Sequence, residues 1–181
     1  WAQKIQSQKI FASEVIIGTG ANLIANGYGE LGDNTNFSGF SIDSTNDIAS
    51  PVGCQHTYWT TSTGGKKLDS QWKVTPGRTY FWELNTMGQN SGQRFYVQVQ
   101  WFNKSGTLLS SPYLITNQDP TQSWKLWSGQ ITAPANAVSA NMVLYGNHAN
   151  GTQSAGQWHR WGGLAFQEAA GGNLIVNGSI T

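Results

Sequence analysis

The segment Arg94-Phe-Tyr-Val-Gln-Val-Gln-Trp-Phe102 alternates residue by residue between two kinds of side chain. In an extended strand, successive side chains point to opposite faces. Phe95, Val97, Val99 and Trp101 are therefore predicted to face a core, and Tyr96, Gln98, Gln100 and Phe102 to face away from it. Arg78-Thr-Tyr-Phe-Trp-Glu-Leu-Asn85 alternates in the same way, with Tyr80, Trp82 and Leu84 on one face and Phe81, Glu83 and Asn85 on the other. Pro76-Gly77 before it is a turn signal. Asn103-Lys-Ser-Gly106 turns the chain, and Thr107-Leu-Leu109 starts back, which predicts a hairpin. Ser123 to Ile131, Val138 to Tyr145 and Gln157 to Gln167 supply further strands, with Thr132-Ala-Pro-Ala-Asn136 as a bend. Trp124 and Leu164 are expected to face the core. Trp127 and Trp161, out of phase with them, are expected either to be exposed or to pack under a loop or a neighbouring subunit. Many short strands with turn signals between them, and no convincing amphipathic helix, predict an all-β sandwich or barrel.

The ends differ from this body. Asn22-Leu-Ile-Ala-Asn-Gly27 recurs as Asn173-Leu-Ile-Val-Asn-Gly178, so similar short elements bracket it. Residues 1–20 carry Ile5, Ile10, Phe11, Val15, Ile16 and Ile17 in a pattern that fits neither a long helix nor one clean strand. The expected organisation is a stalk or linker over 1–20, a β-sandwich over 21–170, and the start of a following stalk segment over 171–181. The chain is then a piece of something longer.

At 181 residues the chain can bury a sizeable single core. Charged residues make up 10% and the net charge is +1, so no nucleic-acid footprint is visible. No apolar run approaches the ~20 residues of a membrane span, and no signal peptide opens the chain; an export signal is expected to lie outside it. Cys54 is alone, so packing has to supply the stability. The nine Trp are more than a core of this size needs, and the surplus suggests a binding surface.

Several of these segments resemble jelly-roll carbohydrate-binding modules of the cellulase-associated type. Asn22-Leu-Ile-Ala-Asn-Gly-Tyr-Gly-Glu-Leu-Gly32 is similar to their first strand, and Val74-Thr-Pro-Gly-Arg-Thr-Tyr80 to a turn and strand. Val97-Gln-Val-Gln-Trp-Phe-Asn-Lys-Ser-Gly106 is similar to a hairpin, and Trp124 with Thr132-Ala-Pro-Ala-Asn-Ala137 to a later strand and bend. The set covers about 20–168 in the expected order. Gly172-Asn-Leu-Ile-Val-Asn-Gly-Ser-Ile-Thr181 resembles segments of tailed-phage central tail fibre and host-specificity proteins, in which such phrases recur along a trimeric stalk. The resemblances together imply a jelly-roll β-sandwich carried on a virion tail. They imply a homotrimer assembled in the host cytoplasm and acting outside the cell, with a cell-surface polysaccharide or glycan and other tail subunits as partners. In the resembled modules an acid in the final strand helps a first-strand Glu hold a structural calcium. Glu30 matches the first, but Gly162-Gly163 stand in place of the second, so no cofactor is expected, with a structural calcium at Glu30, or less well at Asp43 and Asp47, as the weaker alternative.

A sugar site needs flat aromatic faces and planar polar groups. Tyr96, Gln98 and Gln100 offer that mixture on one strand face; an ordinary solvated sheet face would look the same. Phe81, Glu83 and Asn85 would make a second row if the two strands share a sheet. Trp59 lies beside Tyr58 between Gly/Thr/Ser-rich stretches, and His148 sits in the polar stretch Asn147 to Gly156, where loops carry function. Trp59, Tyr96, Gln98, Gln100 and His148 are thus the candidate carbohydrate-binding residues. Catalytic patterns are missing: Ser154 lacks the first Gly of a nucleophile elbow, and His56, His148 and His159 lack metal-ligand spacing. The expected function is non-catalytic glycan recognition. The rival expectation is a decoration domain that packs on neighbouring tail subunits without binding sugar, since Trp and Tyr are also enriched in protein interfaces.

Overall fold

The structure, a computed structural model, describes residues 20–43, 50–51, 53–61, 64–89, 93–149, 152–153 and 157–169. Asp47, the second copy of the repeat and the expected stalk segments apart from Gly20 lie outside the described residues. The strands are β1 (Ser41–Asp43), β2 (Thr57–Thr60), β3 (Gly64–Lys67), β4 (Trp72–Lys73), β5 (Thr79–Gly88), β6 (Gln93–Phe102), β7 (Leu108–Ser110), β8 (Tyr113–Gln118), β9 (Lys125–Thr132), β10 (Ser139–Ala149), β11 (Thr152–Gln153) and β12 (His159–Glu168). No helix occurs among the described residues. A five-stranded sheet runs β1-β2-β12-β5-β9. A seven-stranded sheet runs β11-β10-β6-β7, with β3 and β4 also paired to β10 and β8 also paired to β6. All pairings are antiparallel. The fold is an all-β jelly-roll sandwich.

Its core is the sum of the inward alternate positions. Phe95, Val97, Val99 and Trp101 from β6 meet Tyr80, Trp82 and Leu84 from β5 across the gap. Phe166 joins them, stacked on Tyr80 at 5.1 Å between ring centroids and edge-on to Trp101 at 6.1 Å. Burial of each large side chain stabilises the fold by about 1.5–3 kcal/mol. The hairpin at Asn103–Gly106 forms as expected. Asn103 Oδ1 accepts the backbone N–H groups of Ser105 and Thr107, and Gly106 takes φ 76°, which only glycine adopts without strain.

Two tryptophans depart from simple alternation. Trp161 and Leu164 are both fully buried, although an odd spacing separates them. The register explains this. Gly162 pairs with Asn85 and Ala165 with Glu83, so β12 holds one more residue than β5 across that stretch. The extra residue is a bulge built on Gly163 at φ 59°, and it reverses the phase of the strand. In β9 the core contact belongs to Trp127, not Trp124. Trp127 stands opposite Leu84, donates Nε1–H to Thr86 Oγ1 at 3.2 Å and meets Phe95 edge-on, while Trp124 precedes the strand.

The opening phrase is not a strand. Residues 22–27 run as turns beside β12, joined to it by Leu23 N–H donating to Phe166 O and Leu164 N–H donating to Gly27 O. Each main residue of the phrase has a task. Asn22 Nδ2 donates to Leu164 O, and its Oδ1 accepts from Ile24 N and Phe166 N. Ile24 enters the core. Asn26, at φ 57°, donates to the carbonyls of Asp33 and Thr35 and accepts from Leu31 N. Gly27 leaves no room for a side chain, since a Cβ there would lie 2.1 Å from Leu164 O. Left-handed Asn26 and the packed Gly27 break the extended run that a strand requires.

Candidate functional site

The outward face of the seven-stranded sheet is assembled by register. Gly65, Tyr145 and Tyr96 stand in one row across β3, β10 and β6. Lys67, Val143, Gln98 and Tyr113 form the next, reaching β8. Asn141 and Gln100 follow, and then Lys73, Ser139, Phe102 and Leu108. From Tyr96 to Phe102 is six strand residues, about 20 Å at about 3.3 Å each.

The aromatic groups are held in place. Tyr145 packs closely against Gly65, where a Cβ would be 2.4 Å from its ring. Its hydroxyl donates to Gln98 Oε1 at 3.1 Å, which fixes the amide in the middle of the face. Burial, and then Tyr113 beside it, push the Tyr145 phenol above its ordinary value, so it remains a neutral donor. Tyr96 donates its hydroxyl to Asn117 Oδ1 at 2.8 Å. Asn117 takes φ 52°, a conformation Asn tolerates better than most residues. Tyr113 packs tilted on Tyr96 at 5.7 Å and remains 51% exposed. Three tyrosines therefore share one surface, above the fixed and largely buried amide of Gln98.

The five residues expected to bind do not make one site. Tyr96, Gln98 and Gln100 line up along β6 on this face. His148 is placed by its backbone at the far end of β10, opposite Arg94 on β6 and Gln153 on β11; its side chain lies outside the described residues. Trp59 is in β2 of the other sheet, opposite Arg160. Phe81, Glu83 and Asn85 are not a second row beside Tyr96, because β5 and β6 belong to different sheets. Sequence reasoning missed Tyr113, Asn117 and Tyr145. The alternation of β10 put Tyr145 out of phase with core-facing Leu144, but only the pairing shows that it meets Tyr96.

Among the described residues outside this face, several polar side chains are engaged in internal contacts. Arg160 and Asp43 form an ion pair whose side chains are only 15% and 7% exposed, and the Arg160 guanidinium lies 5.2 Å from the Trp158 ring. Tyr28 donates its hydroxyl to Glu83 Oε1 at 3.1 Å. Burial and the Glu83 carboxylate push the Cys54 thiol up to about 12, which favours the protonated form at neutral pH. His159 is fully buried, and burial pushes it down to about 3. Glu30 accepts Tyr28 N–H, and Asp69 is engaged by Ser38. Among the described residues no three His, Cys, Asp or Glu side chains converge in a metal-ligand group.

No protein-family model and no curated protein matches the chain. Solved structures do. The enzymatically active domain of tailspike protein 4 of bacteriophage CBA120 superposes with a TM-score of 0.56 at 12% identity, covering 81% of this chain and 21% of that one. A family 16 carbohydrate-binding module superposes at 0.52 and 15% identity, covering 81% and 100%. A family 61 carbohydrate-binding module, solved with β-1,4-galactotriose, superposes at 0.50 and 14% identity, covering 82% and 99%. The shared property is the fold. The chain corresponds to nearly the whole of each binding module and to about a fifth of the tailspike structure.

Proposed function

We propose that this domain binds a cell-surface glycan without catalysis, through the outward face of the seven-stranded sheet. One observation carries the reading: Tyr96, Tyr113 and Tyr145 are braced on a single face around the fixed amide of Gln98. Tyrosine rings offer apolar area to the faces of sugar rings, and the amides and hydroxyls bond to sugar hydroxyls. The fold shared with two carbohydrate-binding modules supports it. Among the described residues, His159 is neutral and buried, the half-buried Cys54 is held as a thiol, and Glu83 and Asp69 are engaged locally.

The proposal extends to context. The recurrence of the Asn22–Gly27 phrase at Asn173–Gly178, with the likeness to a tailspike domain, supports a module of a trimeric phage tail fibre that adsorbs to the host. An open face buries little area, so a single site should bind at about 0.1–1 mM. Three linked copies would raise apparent affinity by ~10² or more.

The test is binding of the chain to a polysaccharide panel by affinity gel electrophoresis. Retardation by at least one polymer, reduced about tenfold or more by Tyr96→Ala and unaffected by Trp59→Ala on the other sheet, is expected. Retardation that survives loss of Tyr96 and Tyr145 together places binding elsewhere. No retardation by any polymer, with self-association through this face, favours the decoration-domain reading.

A further inference from the structure

The net charge of +1 conceals an uneven distribution. Lys67 and Lys73 stand in rows of the tyrosine face, and Arg94 lies beyond its Tyr96 end. Lys67 reaches along the face, its ammonium 4.8 Å from the centroid of the Phe102 ring, which places a cation over the end of the face away from Tyr96. Lys73 stands two rows from Lys67 at the same edge, opposite Ser139, which is opposite Phe102. Both lysines are exposed, and among the described residues neither makes an ion pair.

Among the described residues, the carboxylates are engaged, and two of them come near this face. Asp119 is paired to Arg94 at 3.5 Å. Asp69 lies between β3 and β4, but its two oxygens are turned to Ser38. Asp43 belongs to Arg160, Glu168 to Arg78 and Glu83 to Tyr28, and Glu30 and Asp33 accept local backbone N–H groups. The face therefore carries a net positive potential in a partly apolar setting, where water screens a charge less than on an open surface.

We infer that the ligand of this face is an acidic polysaccharide, its carboxylate groups met by Lys67 and Lys73 while its rings lie on the tyrosines. This rests on the glycan-binding reading above and adds the charge of the ligand. A neutral polymer would leave two cations partly desolvated beside the bound rings with nothing to compensate them.

The experiment compares matched polymers. Polygalacturonate, alginate, glucuronoxylan and hyaluronan are each run with the chain beside the carboxyl-reduced form of the same polymer, which keeps the linkages and loses the charge. At least one acidic polymer should bind about fivefold or more tighter than its reduced form at ~0.01 M salt, with the gap closing towards 1 M as charges are screened. Lys67→Gln with Lys73→Gln should abolish the gap, and Lys67→Arg should keep it, which separates charge from the packing of Lys67 on Phe102. Tyr96→Ala should weaken acidic and reduced forms alike. Reduced polymers that bind as tightly as acidic ones, or a gap untouched by the double Gln variant, overturn the inference and leave glycan binding standing. If no polymer of either kind binds, both readings fall.

Discussion

Tyr145 lies so close to Gly65 that a Cβ at residue 65 would be 2.4 Å from Tyr145 Cε1. The glycine is exposed and belongs to a short strand of the sheet edge, yet it sets the height of an aromatic ring in the row of Tyr96. Gly65→Val should lift Tyr145 off the sheet and break its hydrogen bond to Gln98. Glycan affinity should fall about tenfold, while the unfolding free energy changes by about 1 kcal/mol or less, because the ring lies outside the core. Titration and thermal unfolding of the same variant separate the two.

Tyr96 and its hydroxyl can be tested apart. Tyr96→Phe removes the donor to Asn117 Oδ1 but keeps the ring, so binding should weaken about two- to fivefold. Tyr96→Ala removes the ring and should cost tenfold or more. Equal losses from the two variants would mean that the hydrogen bond, not the ring, carries the effect.

His159 makes stability depend on acid. Its ring is buried between Phe95 and Trp161, and neither ring nitrogen has a hydrogen-bond partner among the described residues. Its folded value, about 3, lies below the ordinary 6.5, so the unfolded chain binds the proton more readily. The neutral ring's stability is complete above pH ~6.5 and is lost as pH falls from there towards ~3, by about 1.4 kcal/mol per unit. His159→Phe should remove this contribution. Denaturant midpoints at successive pH values should then fall less steeply on the acid side than those of the parent chain.

Gly27 should tolerate no side chain. A Cβ would lie 2.1 Å from Leu164 O and 2.8 Å from Asn22 Nδ2, both part of the contact between the opening phrase and β12. Gly27→Ala should destabilise the fold by about 2–3 kcal/mol, as overpacking does, and shift the urea midpoint without changing the slope.

Arg160 and Asp43 should be needed together. Replacing Asp43 alone with Leu leaves a largely buried guanidinium without its carboxylate and should cost about 3–5 kcal/mol. Asp43→Leu with Arg160→Met should recover most of that loss. A double variant no more stable than the single one would show that the pair does more than neutralise charge.

Period-two alternation was enough to determine that β5 and β6 are strands and that Phe95, Val97, Val99, Trp101, Tyr80, Trp82 and Leu84 make the core. Alternation is a local property, since each residue's face follows from its neighbours in the chain. It also placed Tyr96, Gln98 and Gln100 on the outer face. Only the tertiary structure decided who stands beside them. Strand pairing is non-local, so it set Tyr145 and Tyr113 next to Tyr96 and Gln98 and sent Trp59 and Phe81 to the other sheet. The inward position of Trp161 depended on a single inserted residue at Gly163, whose left-handed backbone reverses every later side chain of β12. The repeated phrase at Asn22–Gly27 was visible as sequence, but its role as a hydrogen-bonded wedge against β12 arises from contacts with Leu164 and Phe166, more than a hundred residues away.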